Sequence, residues 1–130
     1  MRIVFGTVLA VAMTGFGLGN AYADGDAAAG EKVFKKCAAC HVVDSDAKKV
    51  GPSLKDVMGR TAGTHPDFKY SKPMIDAGAG GLVWNEETVA AYLADTKGYI
   101  KGNKMSFAGL KKEEELANVI AYLKQFSPAQ

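Results

Sequence analysis

Cys37, Cys40 and His41 stand in the spacing Cys-x-x-Cys-His, and nothing else in the 130-residue chain restricts its fold as sharply. Two thiols three positions apart on a helical turn can each add across a vinyl group of haem, which leaves the next imidazole beneath the iron. The motif therefore reads as covalent haem c attachment. Competing uses of paired cysteines fit less well. A thioredoxin-like Cys-x-x-Cys sits in a βαβ setting that the flanking sequence lacks, and a zinc site needs a second ligand pair that two cysteines cannot supply. A plain disulfide leaves His41 unexplained.

The N-terminus carries the features of an export signal. Met1-Arg2 is a short positive start, residues 3–18 are an apolar run loosened by Gly6, Gly15 and Gly17, and Ala21-Tyr22-Ala23 is a small-x-small cleavage box. The run is short and glycine-broken for a spanning helix. We therefore expect a cleaved signal peptide over residues 1–23 and a mature domain over 24–130 in the periplasm, where haem c ligation follows export. A single domain of that size has a small core, and a large apolar prosthetic group would supply part of it. The chain holds 16 basic and 14 acidic residues, and one of the basic ones, Arg2, belongs to the leader. So balanced a charge gives no reason to expect a nucleic-acid partner.

Three amphipathic stretches predict helices. The first runs from about Asp26, a plausible N-cap, to Cys40, with Gly30, Val33, Phe34 and Cys37 at helical spacing. The second starts at Asn85, has Glu86 and Glu87 in its first turn and Trp84 placed to staple onto Val89, and puts Val89, Tyr92, Leu93 and Thr96 on one face. It fades by residues 96–98. The third spans Lys112 to Phe126, with Leu116, Val119, Ile120 and Leu123 as its stripe. No strand pattern stands out. The glycine-rich segments 41–83 and 98–109 are long for a compact domain, and wrapping a haem would explain them. Within the first, a single helical turn from Pro73 to Ala77, ended by Gly78, is the most the pattern supports.

One imidazole leaves the other face of the iron open. Met58, Met74, Met105 and His65 are candidate sixth ligands, and Met105 alone lies in a polar, glycine-hinged loop, Tyr99 to Gly109, well downstream of the motif.

The chain resembles the class I cytochromes c, of the bacterial cytochrome c2 group that is similar to mitochondrial cytochrome c. The resemblance covers residues 26–125. It rests on Gly30 and Phe34, Gly51-Pro52-Ser53-Leu54, Gly59-Arg60, Phe68-Lys69-Tyr70, Trp84, Tyr92-Leu93, Lys104-Met105 and Ile120-Ala121-Tyr122-Leu123. It implies an all-α fold that wraps one haem c, with the N- and C-terminal helices crossing at Gly30 beside Phe34 and Tyr122. His41 and Met105 would be the axial ligands, and the Pro52 carbonyl would accept the free imidazole N–H. Arg60, Tyr70 and Trp84 would surround the propionates, and Tyr92 would lie near the Met105 sulfur. Lys101 stands where the family commonly has proline. Asn103 stands where a threonine donates toward a propionate, and is taken as the corresponding haem contact.

The implied function is one-electron transfer, not catalysis. With both axial positions filled, the iron has no open site for oxygen or peroxide, and a soft thioether favours the ferrous state. Lys36, Lys97, Lys104, Lys111 and Lys112 match lysines that ring the exposed haem edge in the family, with Phe107 close by. Acidic residues gather elsewhere, at Glu86-Glu87 and Glu113 to Glu115. Such a face would dock a monomeric carrier transiently on membrane redox complexes, such as a cytochrome bc complex, a terminal oxidase or a photosynthetic reaction centre. Two other classes compete. One is a haem protein with a labile sixth ligand that binds a gas or peroxide, although helical-bundle cytochromes of that type carry the motif near the C-terminus. The other is a thiol oxidoreductase.

Overall fold

The computed structural model describes residues 24–128, so the expected leader lies outside the described residues. The described residues form five helices in chain order: α1 Ala27–Phe34, α2 Lys72–Ala79, α3 Glu86–Ala94, α4 Thr96–Tyr99 and α5 Glu113–Lys124. Among the described residues there is no strand, only an isolated antiparallel bridge between Thr61 and Val83. No described helix is long and apolar enough to cross a membrane.

The frame is the crossing of α1 and α5, the most extensive contact between helices. A side chain at Gly30 would drive into the Asn118 carbonyl, so the missing Cβ is what lets the two backbones meet. Phe34 and Tyr122 pack beside the crossing with ring centroids 5.3 Å apart, and Tyr122 stacks on Phe126 at 5.1 Å. The Asp26 amide donates to Asn118 Oδ1 at 2.8 Å while its carboxylate caps α1 through Ala28 and Ala29.

Local chemistry moves several boundaries from those that periodicity predicts. α1 stops at Phe34, six residues short of Cys40. Tighter bonds follow, from the Lys36 amide to Val33, Cys37 to Phe34 and Cys40 to Cys37. These i→i−3 bonds tighten the turns that carry the motif, between the i→i−4 bonds from Ala38 to Phe34 and from His41 to Cys37. The helix expected to run on from Asn85 to about residue 96 breaks at Asp95. That residue leaves helical geometry at φ −155° and caps the next short helix by accepting from the Gly98 amide at 3.0 Å. Thr96 thus belongs to α4. α2 is a full eight residues, not one turn, because Ser71 supplies an N-cap to Met74 and Gly80 forms the C-cap. Gly78 lies inside it, pressed against the Ala62 carbonyl. The last helix begins at Glu113 and ends at Lys124, slightly inside the expected Lys112 to Phe126.

The buried apolar residues come from every segment: Val33 and Phe34 from α1, Val43, Val57, Met58 and Ala62 from the first loop, Trp84 and α3, and Val119, Ile120 and Leu123 from α5. They form one core around a cavity.

Candidate functional site

The cavity holds about 240 Å³, and the two cysteines, His41 and Met105 all line it. The tightened turn after α1 delivers the motif, with the His41 amide bonded to the Cys37 carbonyl at 2.9 Å. His41 is buried, and its Nδ1 lies 2.8 Å from the Pro52 carbonyl oxygen. A carbonyl can only accept, so Nδ1 carries the proton and Nε2 presents its lone pair. Burial pulls the imidazole pKa down, and the Pro52 bond opposes this only in part. The ring is therefore neutral and competent to bind a metal.

Gly51, which entered above only as part of the resemblance, matters to this arrangement in its own right. A Cβ there would strike the His41 ring at Cε1 and Nδ1, so glycine is what allows the loop to lie flat on the imidazole. The adjacent Val50 is 78% exposed yet lines the cavity mouth.

Of the four candidate sixth ligands, two line the cavity, Met74 and Met105. Met58 is buried in the core, and the His65 ring faces the Pro66 carbonyl at 2.8 Å and Asp46 at 3.5 Å. Met105 is distinguished by a partner. Tyr92 on α3 donates its hydroxyl to Met105 Sδ at 3.4 Å. Burial pushes the Tyr92 pKa up to about 12, which keeps that donor protonated. Trp84 packs on Tyr92 with centroids 5.1 Å apart.

Arg60, Tyr70 and Trp84 line the same cavity. The Arg60 guanidinium donates to the Ser53 carbonyl at 2.9 Å and the Lys55 carbonyl at 3.3 Å, which leaves other N–H groups of its five for an anion. Burial lowers its pKa, with nearby Tyr70 opposing the shift. The Tyr70 hydroxyl accepts from the His65 amide at 3.2 Å, and its own proton is left to donate elsewhere. Asn103 is different from its expected role. Both hydrogens of its amide go to backbone carbonyls, at Thr96 and Ile100, so it is committed inside its loop and has no donor to offer a carboxylate.

The five expected docking lysines are not equivalent. Lys36 and Lys104 reach the cavity mouth, but Lys36 pairs with Glu115 at 3.1 Å, so the acidic start of α5 touches the basic face and does not stand apart from it. Lys97 and Lys111 donate their amines to the carbonyls of Asn103 and Ala94. Lys112 is exposed at the N-cap of α5.

The residues present suit a haem. An apolar cavity receives the macrocycle, two thiols and an imidazole stand at one turn, a thioether is held at the wall, and three donor side chains await carboxylates. A thiol oxidoreductase fits worse. Its attacking cysteine needs a depressed pKa, whereas burial pushes the Cys37 thiol up and nearby Lys36 offsets this only in part.

A helical fold closed around a cavity with a Cys-x-x-Cys-His wall defines the class, and comparison with known proteins supplies the family. Residues 27–127 match the family described as cytochrome c, and the chain belongs to it. It is 52% identical over 101 residues to cytochrome c2 of Agrobacterium tumefaciens (strain II Chrys), covering 77% of this chain and 91% of that one. To cytochrome c of Chlamydomonas reinhardtii it is 52% identical over 103 residues, or 78% and 89% of the two chains. The structure of cytochrome c2 from Rhodospirillum centenum superposes with a TM-score of 0.76 at 47% identity, over 80% of this chain and 100% of that one. The chain is a haem c electron carrier, not an enzyme, with one haem attached covalently through its cysteine pair.

Proposed function

We propose that this chain is a periplasmic one-electron shuttle between membrane redox complexes, with iron ligated by His41 and Met105. The observation that carries the reading is the pairing of two preset donors in one cavity. His41 is held as the Nδ1–H tautomer by Pro52, and the Met105 sulfur is held by Tyr92. Haem c supplies the one-electron couple of its iron. The chain's part is to keep both ligands fixed so that little rearranges when the charge changes, to exclude water with an apolar wall, and to offer Arg60, Tyr70 and Trp84 to the propionates. Export is supported by the N-terminal pattern of Arg2, the apolar run and the Ala-x-Ala box ending at Ala23.

Docking is assigned to the cavity mouth at Lys104 together with Lys112 at the N-cap of α5, the two of the five expected lysines that are exposed and not drawn into the ion pair with Glu115 or the carbonyl contacts of Lys97 and Lys111. Reversing both charges, with Lys104→Glu and Lys112→Glu, is expected to slow association with an acidic redox partner and to flatten its salt dependence. Unchanged bimolecular rates at low ionic strength would move the docking face elsewhere. The ligand reading is tested by Met105→Ala. The haem stays attached through Cys37 and Cys40, the potential falls, and the ferrous protein binds carbon monoxide. A variant that keeps the parent potential and refuses carbon monoxide removes Met105 from the ligand set.

A further inference from the structure

The segment from Ile100 to Gly109 lines the cavity from Asn103 to Phe107 and carries the Met105 sulfur, yet its own composition is loose. Gly102 sits at φ 81°, Lys101, Lys104 and Ser106 are exposed, and no helix or strand runs through it. Asn103 is its fixed point. That residue is 6% exposed and bonds three ways to backbone. Nδ2 donates to the carbonyls of Thr96 and Ile100, each at 2.7 Å, and Oδ1 accepts from the Met105 amide at 2.9 Å. Thr96 is the first residue of α4 and Ile100 its C-cap, so the amide clasps both ends of the helix. Lys97, from the middle of α4, adds a second grip by donating Nζ to the Asn103 carbonyl at 2.9 Å.

We infer that Asn103 is a positioning residue for Met105, a neutral clasp that transmits the rigidity of α4 to the backbone of the ligand. The inference rests on the reading of Met105 as the sixth ligand. A thioether is a weak donor, and its advantage over an external ligand comes from being held in place before it binds. The residue type matters as well. Asparagine offers two donors and an acceptor at this reach, threonine offers one donor, and aspartate would set a carboxylate against two carbonyl oxygens. Removing the clasp takes one of two donors from each of the Thr96 and Ile100 carbonyls, which keep the backbone amides of Ile100 and Asn103, and it frees the Met105 amide.

Imidazole binding to the ferric holoprotein tests the idea, because imidazole competes directly with the sixth ligand. Asn103→Ala is expected to raise imidazole affinity about tenfold, the factor for one lost buried hydrogen bond, and to lower the potential; Asn103→Thr should fall between. The gain should vanish when Met105→Ala is already present. As a control, Asn118→Ala removes a bond in the helical frame and should lower thermal stability while leaving imidazole affinity at the parent value. Parent affinity in Asn103→Ala, or an equal gain in the Met105→Ala background, overturns the proposal. If Met105→Ala alone leaves imidazole affinity unchanged, the ligand reading fails first and the clasp fails with it. Should Asn103→Ala not fold, amide exchange in the parent decides. The Met105 amide must then be protected well beyond that of exposed Lys104, and equal exchange at the two overturns the proposal.

Discussion

The crossing of α1 and α5 and the loops around the cavity are held by different physics. At the crossing, apolar faces close on each other through Val33, Phe34, Val119, Ile120 and Leu123, and side-chain bonds tie only the flanks, from the Asp26 amide to Asn118 and from Lys36 to Glu115. The loops send Val43, Val57, Met58, Ala62, Ile100 and Leu110 into the core, but their course is stitched by polar side chains reaching for carbonyls. Lys48 donates to Asp67, Lys49 to Ala38, Ser53 to Ser45, Arg60 to Ser53, Thr96 to Phe107 and Asn103 to Thr96. A frame built by packing tolerates exchange among apolar residues but not a change of volume at its contact point. A wrap built by stitches depends on single residue types and places single atoms.

The largest expected effect breaks the frame. Gly30→Val inserts three carbons where even one meets the Asn118 carbonyl, and the two helices must part. A loss of about 3 kcal/mol or more in denaturant unfolding of the holoprotein is expected, well above the gain of roughly 0.4 kcal/mol in helix propensity that replacing glycine by the β-branched valine would otherwise bring. A neutral result would mean that the crossing is looser than its geometry implies.

Next comes a change that strikes the wrap and the site together. Gly51→Ala pushes on the His41 ring and is expected to disturb its bond to Pro52, costing about 1 to 3 kcal/mol and shifting the reduction potential. Gly80→Ala, where the added carbon meets only ordinary contacts of 3.4 and 3.5 Å, should leave the potential alone. Equal potentials in the two variants would show that Gly51 serves the turn and not the imidazole.

The smallest effect is electrostatic. Lys124 on α5 pairs with Glu86 on α3, and that hydrogen bond raises the lysine pKa above its ordinary 10.5. A lysine held more tightly charged when folded contributes stability that is fully present below pH 10.5 and is lost as pH rises through the raised value. The pair is exposed, so Lys124→Met should cost at most about 0.5 kcal/mol at neutral pH and nothing above that window. Unfolding curves at two pH values check both halves of the statement.

The same division explains how much of the molecule was legible in the chain. The frame was readable because its signal is periodic. Gly30, Phe34 and Tyr122 stand where helical spacing and the family resemblance place them. Boundaries were missed wherever one residue overruled the period. Asp95 breaks a helix that the apolar spacing continues, and Ser71 starts one that only Pro73 announced. In the site, the motif marked the imidazole wall, and the resemblance drew Pro52, Tyr92 and Met105 to the cavity where geometry puts them. The role of Gly51 and the inward commitment of Asn103 were not legible, because both depend on contacts between residues far from regular elements. The docking lysines were legible only in part for a related reason. Residue type shows a charge but not the carbonyl or carboxylate that occupies it, as with Lys97 and Lys36.

In the ligation proposed above, one cavity presents a preset imidazole nitrogen and a preset thioether sulfur to the same iron. X-ray absorption at the iron edge of the intact holoprotein measures this directly by identifying the atoms bonded to the metal. One sulfur and five nitrogen neighbours are expected in the parent protein, and no sulfur neighbour in Met105→Ala while the haem remains covalently attached. A parent spectrum without a sulfur neighbour, or one whose sulfur survives the substitution, would contradict that ligation.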